Sequence, residues 1–383
     1  MIYDQVLQTI KQLEDKYISI WKDVCNIESP TNDKAGVDAV GTYFIRLAND
    51  LGWHVEIFEQ PIAGNVVEIM FNDDVNASPL SLSGHMDTVH AVGSFGTPAV
   101  RIENGVIYGP GVTDCKGGIV AGFLAMEALW RCCYRARPVV MYLQSDEEGG
   151  GKFSNDETIR HICEKAKDSV AFLNLEGGEP GALCNRRKGI ASFEVTVTGA
   201  EAHSAICATA GANAILEAAH KIIELEKFKD PDGLTCCCSV IKGGTKHNVV
   251  PGCCEFTANV RFATQAQLEE FRKYIENLML DVKVAGCKCS VHLPRIRPAL
   301  EECARNDALI DRMNEIWTSC GFSPLQKRSS LGGSDAANVS TFGIPAVDNL
   351  GTFGGRIHTV NEYGLISSLS EQAERIALVA LYI

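Results

Sequence analysis

Five short motifs rich in glycine, acidic residues and histidine recur along this chain of 383 residues, and each is predicted to lie where a strand ends. In chain order they are 84–87 (GHMD), 113–118 (TDCKGG), 146–150 (DEEGG), 174–177 (NLEG) and 354–359 (GGRIHT). The carboxyl ends of parallel strands meet at one edge of a sheet, where the functional sites of open α/β folds lie. The motifs therefore predict an α/β protein in which the histidines and carboxylates of these motifs meet at one edge of the sheet.

Hydrophobic patterns between the motifs predict helices alternating with strands. Helical spacing of apolar residues is found at 2–27, 38–51 and 117–130. Short apolar runs predict strands at 55–58, 66–71, 80–83, 139–143 and 170–175. Because buried runs of this kind are typical of parallel strands covered on both faces, we expect a mostly parallel sheet flanked by helices.

The pattern changes after residue 187. In chain order it predicts a strand, a helix, two strands, a helix and a last strand at 190–198, 211–228, 234–241, 253–262, 265–284 and 287–293. This order is that of a ferredoxin-like α+β unit. We therefore expect a catalytic domain in two parts, 1–187 and 296–383, interrupted by a lid or dimerisation domain at 188–295.

The net charge of −13 argues against nucleic acid or an anionic membrane as a main partner, because both require a basic protein surface. The first twenty residues are interrupted by charged side chains, so they do not resemble a signal peptide, and no run is apolar enough to span a bilayer. These features predict a cytoplasmic protein that binds a small molecule.

Sixteen cysteines are an unusual number for such a chain. We interpret them as reduced thiols that pack as small hydrophobic side chains. A second metal site is the alternative for the clusters at 236–238, 253–254 and 287–289, although no Cys-x-x-Cys pair occurs anywhere in the sequence.

Two histidines and several carboxylates are a ligand set suited to two divalent cations, which can activate water for hydrolysis. In type, order and spacing, the five motifs resemble those of the dinuclear-zinc aminoacylase family. This family includes glutamate carboxypeptidase, acetylornithine deacetylase, succinyl-diaminopimelate desuccinylase, peptidase T and related dipeptidases. The likeness extends over nearly the whole chain, including the inserted domain.

The resemblance implies a ligand role for five residues. Asp114 would bridge two zinc ions, with cobalt or manganese as alternative metals. His85 and Glu176 would complete one site. Glu148 and His358 would complete the other.

The resemblance also implies the catalytic residues of the same domain. Glu147 would be the general base, which takes a proton from the attacking water and passes it to the leaving nitrogen. Asp87 would orient the imidazole of His85. Family members tend to have a cis peptide after the bridging aspartate, here Asp114–Cys115.

Further residues match positions that contact substrate in the family. His203 would reach the active site of a partner subunit and stabilise the oxyanion. Asn248 and Arg261 would hold the substrate carboxylate, and Lys188 would add a cation near them. Gly354 belongs to a glycine loop that would line the metal site.

Three residues depart from the usual family pattern, namely Cys115, Arg356 and Asn361, and of these Arg356 is the one expected to alter substrate choice. Five further histidines match no family position and are interpreted as surface or core residues: His54, His90, His161, His220 and His292.

Together these features predict a two-metal hydrolase that cleaves an amide or peptide bond next to a free carboxylate, as in small peptides. Two alternatives stay open. One is a deacylase of N-acyl amino acids, of the acetylornithine deacetylase or desuccinylase type. The other is a metal-binding scaffold without catalysis. The resemblance also implies a homodimer formed through the inserted domain.

Overall fold

The computed structural model describes residues 2–383, which form two compact units. Unit 1 comprises residues up to Asn185, Glu302–Ser329 and Ser334–Ile383, and unit 2 comprises Arg186–Glu301 and Ser330–Gly333. The helices are α1 Ile2–Asn26, α2 Lys34–Asp50, α3 Lys116–Arg131, α4 Glu157–Lys165, α5 Ala214–Leu225, α6 Gln265–Leu280, α7 Ala304–Ser319, α8 Asp335–Thr341 and α9 Ser367–Tyr382. The strands are β1 His54–Phe58, β2 Val66–Phe71, β3 Leu80–His85, β4 Arg101–Glu103, β5 Val106–Tyr108, β6 Val139–Gln144, β7 Ala171–Asn174, β8 Ala182–Arg187, β9 Gly189–Thr198, β10 Thr235–Gly243, β11 Cys253–Phe262, β12 Lys288–His292, β13 Ile296–Arg297, β14 Gln326–Ser330, β15 Ala346–Val347, β16 Gly354–Gly355 and β17 Tyr363–Leu365.

The main sheet of unit 1 has the strand order β1-β2-β6-β3-β7-β15. Strands β6, β3, β7 and β15 run parallel, and β1 and β2 add an antiparallel edge. Every residue of β3, β6 and β7 is buried. This burial on both faces explains why their sequences are continuous apolar runs without alternation. The predicted mostly parallel sheet is confirmed.

Helices cover the sheet on two sides and enclose two separate apolar clusters. The larger cluster joins α1, α3, α7 and α9 to one side of the sheet and contains the fully buried Trp21, Phe123 and Trp317. The smaller cluster joins α4 and α8 to the other side around Tyr142 and Phe172. Helix α3 is buried along nearly its whole length, which its small and aliphatic residues allow.

Unit 2 has an antiparallel sheet in the order β10-β11-β9-β12, with β13 also paired to β9. The burial of β9 and β11 alternates along each strand, so one face of the sheet is packed against helices and the other is more open. Its apolar cluster includes residues of α5 and α6, among them Ala218 and Phe271. The order strand, helix, two strands, helix, strand confirms the predicted ferredoxin-like unit.

Several elements differ from those predicted. Helix α6 ends at Leu280 and not at residue 284, and helices α4, α7, α8 and α9 were not predicted. The compact units divide at 301/302, whereas the sequence suggested 295/296, because β13 pairs with β9 and keeps this segment with unit 2.

The cysteines are only partly the buried side chains that we expected. None of the sixteen, all of which lie in the described residues, forms a disulfide. Seven are buried, but Cys133, Cys207, Cys237 and Cys253 are exposed. Side chains alternate between the two faces of a strand, so adjacent cysteines differ in burial. Cys236 and Cys254 point inward, whereas their neighbours Cys237 and Cys253 point outward. No helix within residues 2–383 has the length and apolar character needed to cross a membrane.

Candidate metal centre

Three of the five motifs follow neighbouring strands of the main sheet in unit 1. His85 is the last residue of β3, Glu147 and Glu148 follow β6, and Glu176 lies two residues after β7. Because β6, β3 and β7 are adjacent and parallel, their carboxyl ends lie along one edge of the sheet. Local topology therefore brings these side chains together.

The other two motifs do not follow strands of the main sheet, which corrects the prediction that all five mark strand ends of this kind. Asp114 lies immediately before Cys115, the residue that precedes α3. His358 follows β16, part of a small antiparallel sheet with β17, β5 and β4. Its φ angle of 61° is one that a non-glycine residue rarely adopts.

Asp114 is the centre of the cluster. Its Oδ1 atom lies 3.1 Å from Nε2 of His85, and its Oδ2 atom lies 3.1 Å from Nε2 of His358. Nε2 of His85 is also 3.7 Å from Oε1 of Glu176, and Nε2 of His358 is 3.3 Å from Oε2 of Glu148. One carboxylate thus separates two groups of donors, each with one imidazole and one further carboxylate.

The electrostatics of this cluster suit bound cations. Burial raises the pKa of Glu148 to about 7 and raises the pKa of Glu176 well above its usual range. Burial also acts to raise the pKa of Asp114, but hydrogen bonds from His358 and His85 outweigh it and lower that pKa. Carboxylates crowded in a buried place repel one another, and nearby cations reverse this effect. The donor set therefore fits two divalent cations that share Asp114.

Asp87 connects two parts of the cluster and is fully buried. Nδ1 of His85 donates to the Asp87 carbonyl oxygen over 2.9 Å, and the Asp87 carboxylate lies 3.5 Å from the same nitrogen. This tautomer would leave the lone pair of Nε2 of His85 available to coordinate a cation. The Asp87 carboxylate also accepts hydrogen bonds from the backbone amides of Glu147 and Glu148 and from the hydroxyl of Thr31. It therefore fixes the strand end that carries the predicted base.

Two predicted residues of unit 2 lie side by side on neighbouring segments. His203 is exposed and begins a short 3₁₀ turn, Ser204–Ile206, where its Nδ1 accepts from the amide of Ala205. The amide of Ser204 donates to the carbonyl of Asn248, which is also exposed. The imidazole and the carboxamide therefore belong to one surface of unit 2, and their roles stay predictions.

The other two predicted residues of unit 2 have partners within that unit. Arg261 lies on β11 and donates to the carbonyl of Leu331 over 3.3 Å. The ammonium of Lys188 donates to the carbonyls of Pro231 and Gly233 over 2.6 and 2.8 Å. These bonds anchor Lys188 to a loop of unit 2, so its predicted role in binding substrate has no support from its own contacts and stays a prediction.

Gly354 packs against the segment that carries Asp114. A side chain at Gly354 would collide with the hydroxyl of Thr113 and with the carbonyl of Tyr363. The hydroxyl of Thr113 donates to that carbonyl over 2.6 Å. The glycine therefore allows close packing beside Asp114, and its predicted contact with substrate stays a prediction.

Two sets of contacts near the cluster, those of Glu362 and those of the Cys115 thiol, were not predicted from the sequence. Glu362 is fully buried and accepts hydrogen bonds from the loop that ends at Asp114, although only its place four residues after His358 could have drawn attention to it. The thiol of Cys115 accepts from the amide of His85 over 2.9 Å and lies near the ligand atoms of His85 and Glu176. The Asp114–Cys115 peptide is cis, as the family resemblance implies.

Comparison with known proteins supports the resemblance. Residues 185–287 match the M20 family model described as a peptidase dimerisation domain. Carboxypeptidase G2 of Pseudomonas sp. (strain RS-16) is 26% identical over 372 residues, covering 96% of this chain and 89% of that protein. Succinyl-diaminopimelate desuccinylase of Wolinella succinogenes is 26% identical over 328 residues, covering 78% of this chain and 83% of that protein.

A solved structure shows that the fold is shared as well. The aminopeptidase PepT of Bacillus cereus superposes with a TM-score of 0.77 at 19% sequence identity, covering 96% of this chain and 98% of that one. Fold, donor cluster and relatives together define a metal-dependent hydrolase. More narrowly, the chain resembles the M20 metallopeptidases and amidohydrolases, among which a Bacillus subtilis protein is described as a dinuclear metal-binding peptidase.

Proposed function

We propose that this protein is an exopeptidase that cleaves an amide or peptide bond next to a free carboxylate, using two zinc ions per chain. The observation that supports this most directly is the position of Asp114, whose two carboxylate oxygens each lie 3.1 Å from a different histidine. Imidazole and carboxylate donors are those that zinc prefers. Two such cations, when bound, would polarise the scissile carbonyl and lower the pKa of a water molecule.

The residues of the chain supply the proton transfers. Glu147 is buried at the cluster, and its backbone is held by Asp87. We assign it the general base, which accepts a proton from the attacking water and donates it to the leaving nitrogen when the C–N bond breaks. The Asp87 carboxylate accepts a hydrogen bond from the Glu147 amide and lies 3.5 Å from Nδ1 of His85. It therefore holds the proposed base and the proposed ligand in a fixed relative position.

Residues of unit 2 complete the proposed mechanism by analogy with the family. His203 would donate to the oxyanion as it develops, acting from the partner subunit. Arg261 and Asn248 would bind the substrate carboxylate, for which the guanidinium group is well suited. Lys188 and Gly354 would line the same substrate site, and each also has structural contacts of its own.

A homodimer formed through unit 2 is part of this proposal. Strand β10 is an edge of the unit 2 sheet, and Val240 and Ile241 on it are half exposed. Helix α5, which packs on the same sheet, exposes Leu216 and Ile223. An edge strand beside exposed apolar side chains is a common pairing surface. Light scattering coupled to size exclusion would report a mass of two chains, and a single-chain mass would exclude the dimer.

A deacylase of N-acyl amino acids is the second candidate, because the chain is 26% identical to a succinyl-diaminopimelate desuccinylase. Zinc-loaded and metal-free protein should be assayed on di- and tripeptides and on N-acetyl, N-succinyl and N-formyl amino acids. Metal-dependent loss of peptides alone supports the exopeptidase. Loss of acyl compounds alone supports the deacylase.

Glu147→Gln tests the mechanism separately from the substrate. We expect turnover to fall by about 10²–10⁴-fold, the usual contribution of a general base, while two cations per chain are retained. Normal turnover in this variant would refute the assignment of Glu147. Two bound cations without hydrolysis of any compound by the unmodified protein would favour the non-catalytic scaffold.

A further inference from the structure

Glu362 is a fully buried carboxylate in the segment that follows His358. Its Oε1 atom accepts hydrogen bonds from the backbone amides of Thr113 and Asp114 over 2.9 and 3.0 Å. Its Oε2 atom accepts from the amide of Gly111 over 3.2 Å and from Nε2 of His90 over 2.9 Å. Both oxygens therefore have two donors each.

These bonds join two distant parts of the chain. Asp114 and Glu362 are 248 residues apart in sequence. The amide of Glu362 donates to the carbonyl of Thr359, which closes the turn directly after His358. The amide of Gly109 donates to the carbonyl of Glu362, at the start of the loop that leads to Asp114. Side chain and backbone of Glu362 thus hold both segments in one arrangement.

The hydrogen bonds that Glu362 accepts can affect the geometry of the cluster. Hydrogen bonds to an ionised carboxylate are shorter and stronger than neutral ones, and burial increases their strength. One of them ends on the amide of Asp114, the residue whose Oδ2 lies 3.1 Å from His358. Loss of this bond would let the Asp114 backbone shift relative to His358.

We propose that Glu362 is a positioning residue that fixes Asp114 relative to His358 and thereby sets the geometry of the second cation site, the one formed with Glu148. This inference rests on the proposed two-cation function. It differs from a general structural role because it requires cation affinity to change even where the fold is intact.

Glu362→Gln is the primary test, since the amide has nearly the shape of the carboxylate but replaces one acceptor oxygen with a donor. We expect chelator competition to show a loss of about 10–100-fold in affinity for one of two cations, as outer-shell changes at metal sites produce. The visible spectrum of the cobalt-substituted protein should change as well. With cations in excess, kcat should fall while KM changes little.

Glu217→Gln is the matched control. Glu217 is likewise fully buried and accepts from two backbone amides, those of Lys283 and Val284, but it lies in unit 2. The control should keep both cations at the affinity of the unmodified protein. Glu362→Asp, which keeps the charge but shortens the side chain, should recover part of the lost affinity.

The outcomes separate clearly. Weaker binding of one cation in folded Glu362→Gln, with the control unaffected, supports the inference. Unchanged affinity and an unchanged cobalt spectrum would overturn it, as would an equal loss in Glu217→Gln. If Glu362→Gln does not fold, His90→Leu is judged by the same outcomes, because it removes the imidazole donor to Glu362 and supplies no other. Failure of the unmodified protein to bind two cations would instead refute the proposed function.

Discussion

Two carboxylate sites of this protein, Glu217 in unit 2 and the cluster around Asp114 in unit 1, are stabilised in opposite ways. In unit 2, Glu217 is neutralised from within: the ammonium of Lys221 lies 2.7 Å from its Oε1, and two backbone amides donate to its Oε2. In the cluster of unit 1, the side chains of Glu148 and Glu176 are largely enclosed beside further carboxylates. The same side-chain type thus has its own partners at Glu217 and is crowded by like charges in the cluster.

The pKa values follow this difference. Burial acts to raise the pKa of Glu217, but the hydrogen bond from Lys221 and those from the amides of Val284 and Lys283 lower it below its usual value. Burial raises the pKa of Glu148 to about 7 and raises the pKa of Glu176 well above its usual range. A carboxylate with a structural role is stabilised by charged and polar groups of the protein itself. A carboxylate that serves as a metal ligand is stabilised when a cation binds. We therefore expect unit 1, and not unit 2, to depend on metal for stability.

The largest expected effect comes from removing the internal partner in unit 2. Lys221→Met leaves Glu217 buried without its cation, and breaking a buried pair in this way costs about 3–5 kcal/mol. Chemical denaturation followed by hydrogen exchange should show unit 2 destabilised and metal content unchanged. Loss of metal from a folded Lys221→Met protein would contradict the separation of the two roles.

Metal binding should stabilise unit 1 and leave unit 2 unaffected. At a free metal concentration of 100 Kd, a cation that binds the folded state alone stabilises it by about 2.7 kcal/mol. Exchange protection should rise in β3, β6 and the segment around Asp114 when metal is added. Equal stabilisation of β9 and β11 in unit 2 would show that the two units do not differ as we propose.

One substitution made in both units sharpens the comparison. In metal-free protein, Glu217→Gln should lower the free energy of unfolding by about 1.5–3 kcal/mol, because hydrogen bonds to a charged group are lost. Glu176→Gln should cost less or be stabilising, because it removes a crowded negative charge. Urea unfolding of both variants, each without metal, measures the two effects. A greater loss in Glu176→Gln would reverse our interpretation.

The smallest effect is on pH dependence. Since the pKa of Glu217 is lowered on folding, its contribution to stability is present above the pKa of the unfolded chain, about 4.3, and is lost as the pH falls through the lower folded value. Unit 2 should therefore lose stability in acid more steeply in the unmodified protein than in Glu217→Gln. Parallel curves from pH 6 to pH 3 would be the contrary result.

Sequence patterns predicted the parts of the molecule where local signals and packing agree. The strand that ends at His85 and the strand that ends at Gln144, shortly before Glu148, are buried runs followed by acidic or histidine motifs, so both the fold and the convergence of these motifs could be inferred. Helices α7 and α9 were missed although each has a buried apolar face. In α7 the apolar residues are separated by many charged and polar ones, which weakens the helical signal in the sequence.

The residues of the site were predicted less completely than the fold. Asp114 and His358 lie in motifs that the sequence singled out, but they follow no strand of the main sheet, and only the family resemblance implied their roles. Glu362 was beyond sequence reasoning, because its role depends on a contact across 248 residues that no local pattern encodes. The same limit applies to Lys188, whose carbonyl partners become visible only in the folded unit.

The order of the segments along the chain has a consequence for biosynthesis. Asp114 is translated before unit 2, and His358 and Glu362 are translated after it. The half of the cluster that contains His358 cannot form until nearly the whole polypeptide has left the ribosome. With His358 as a ligand, as we propose, a nascent chain has no complete hydrolytic centre during its synthesis, and a product truncated before residue 358 would lack one.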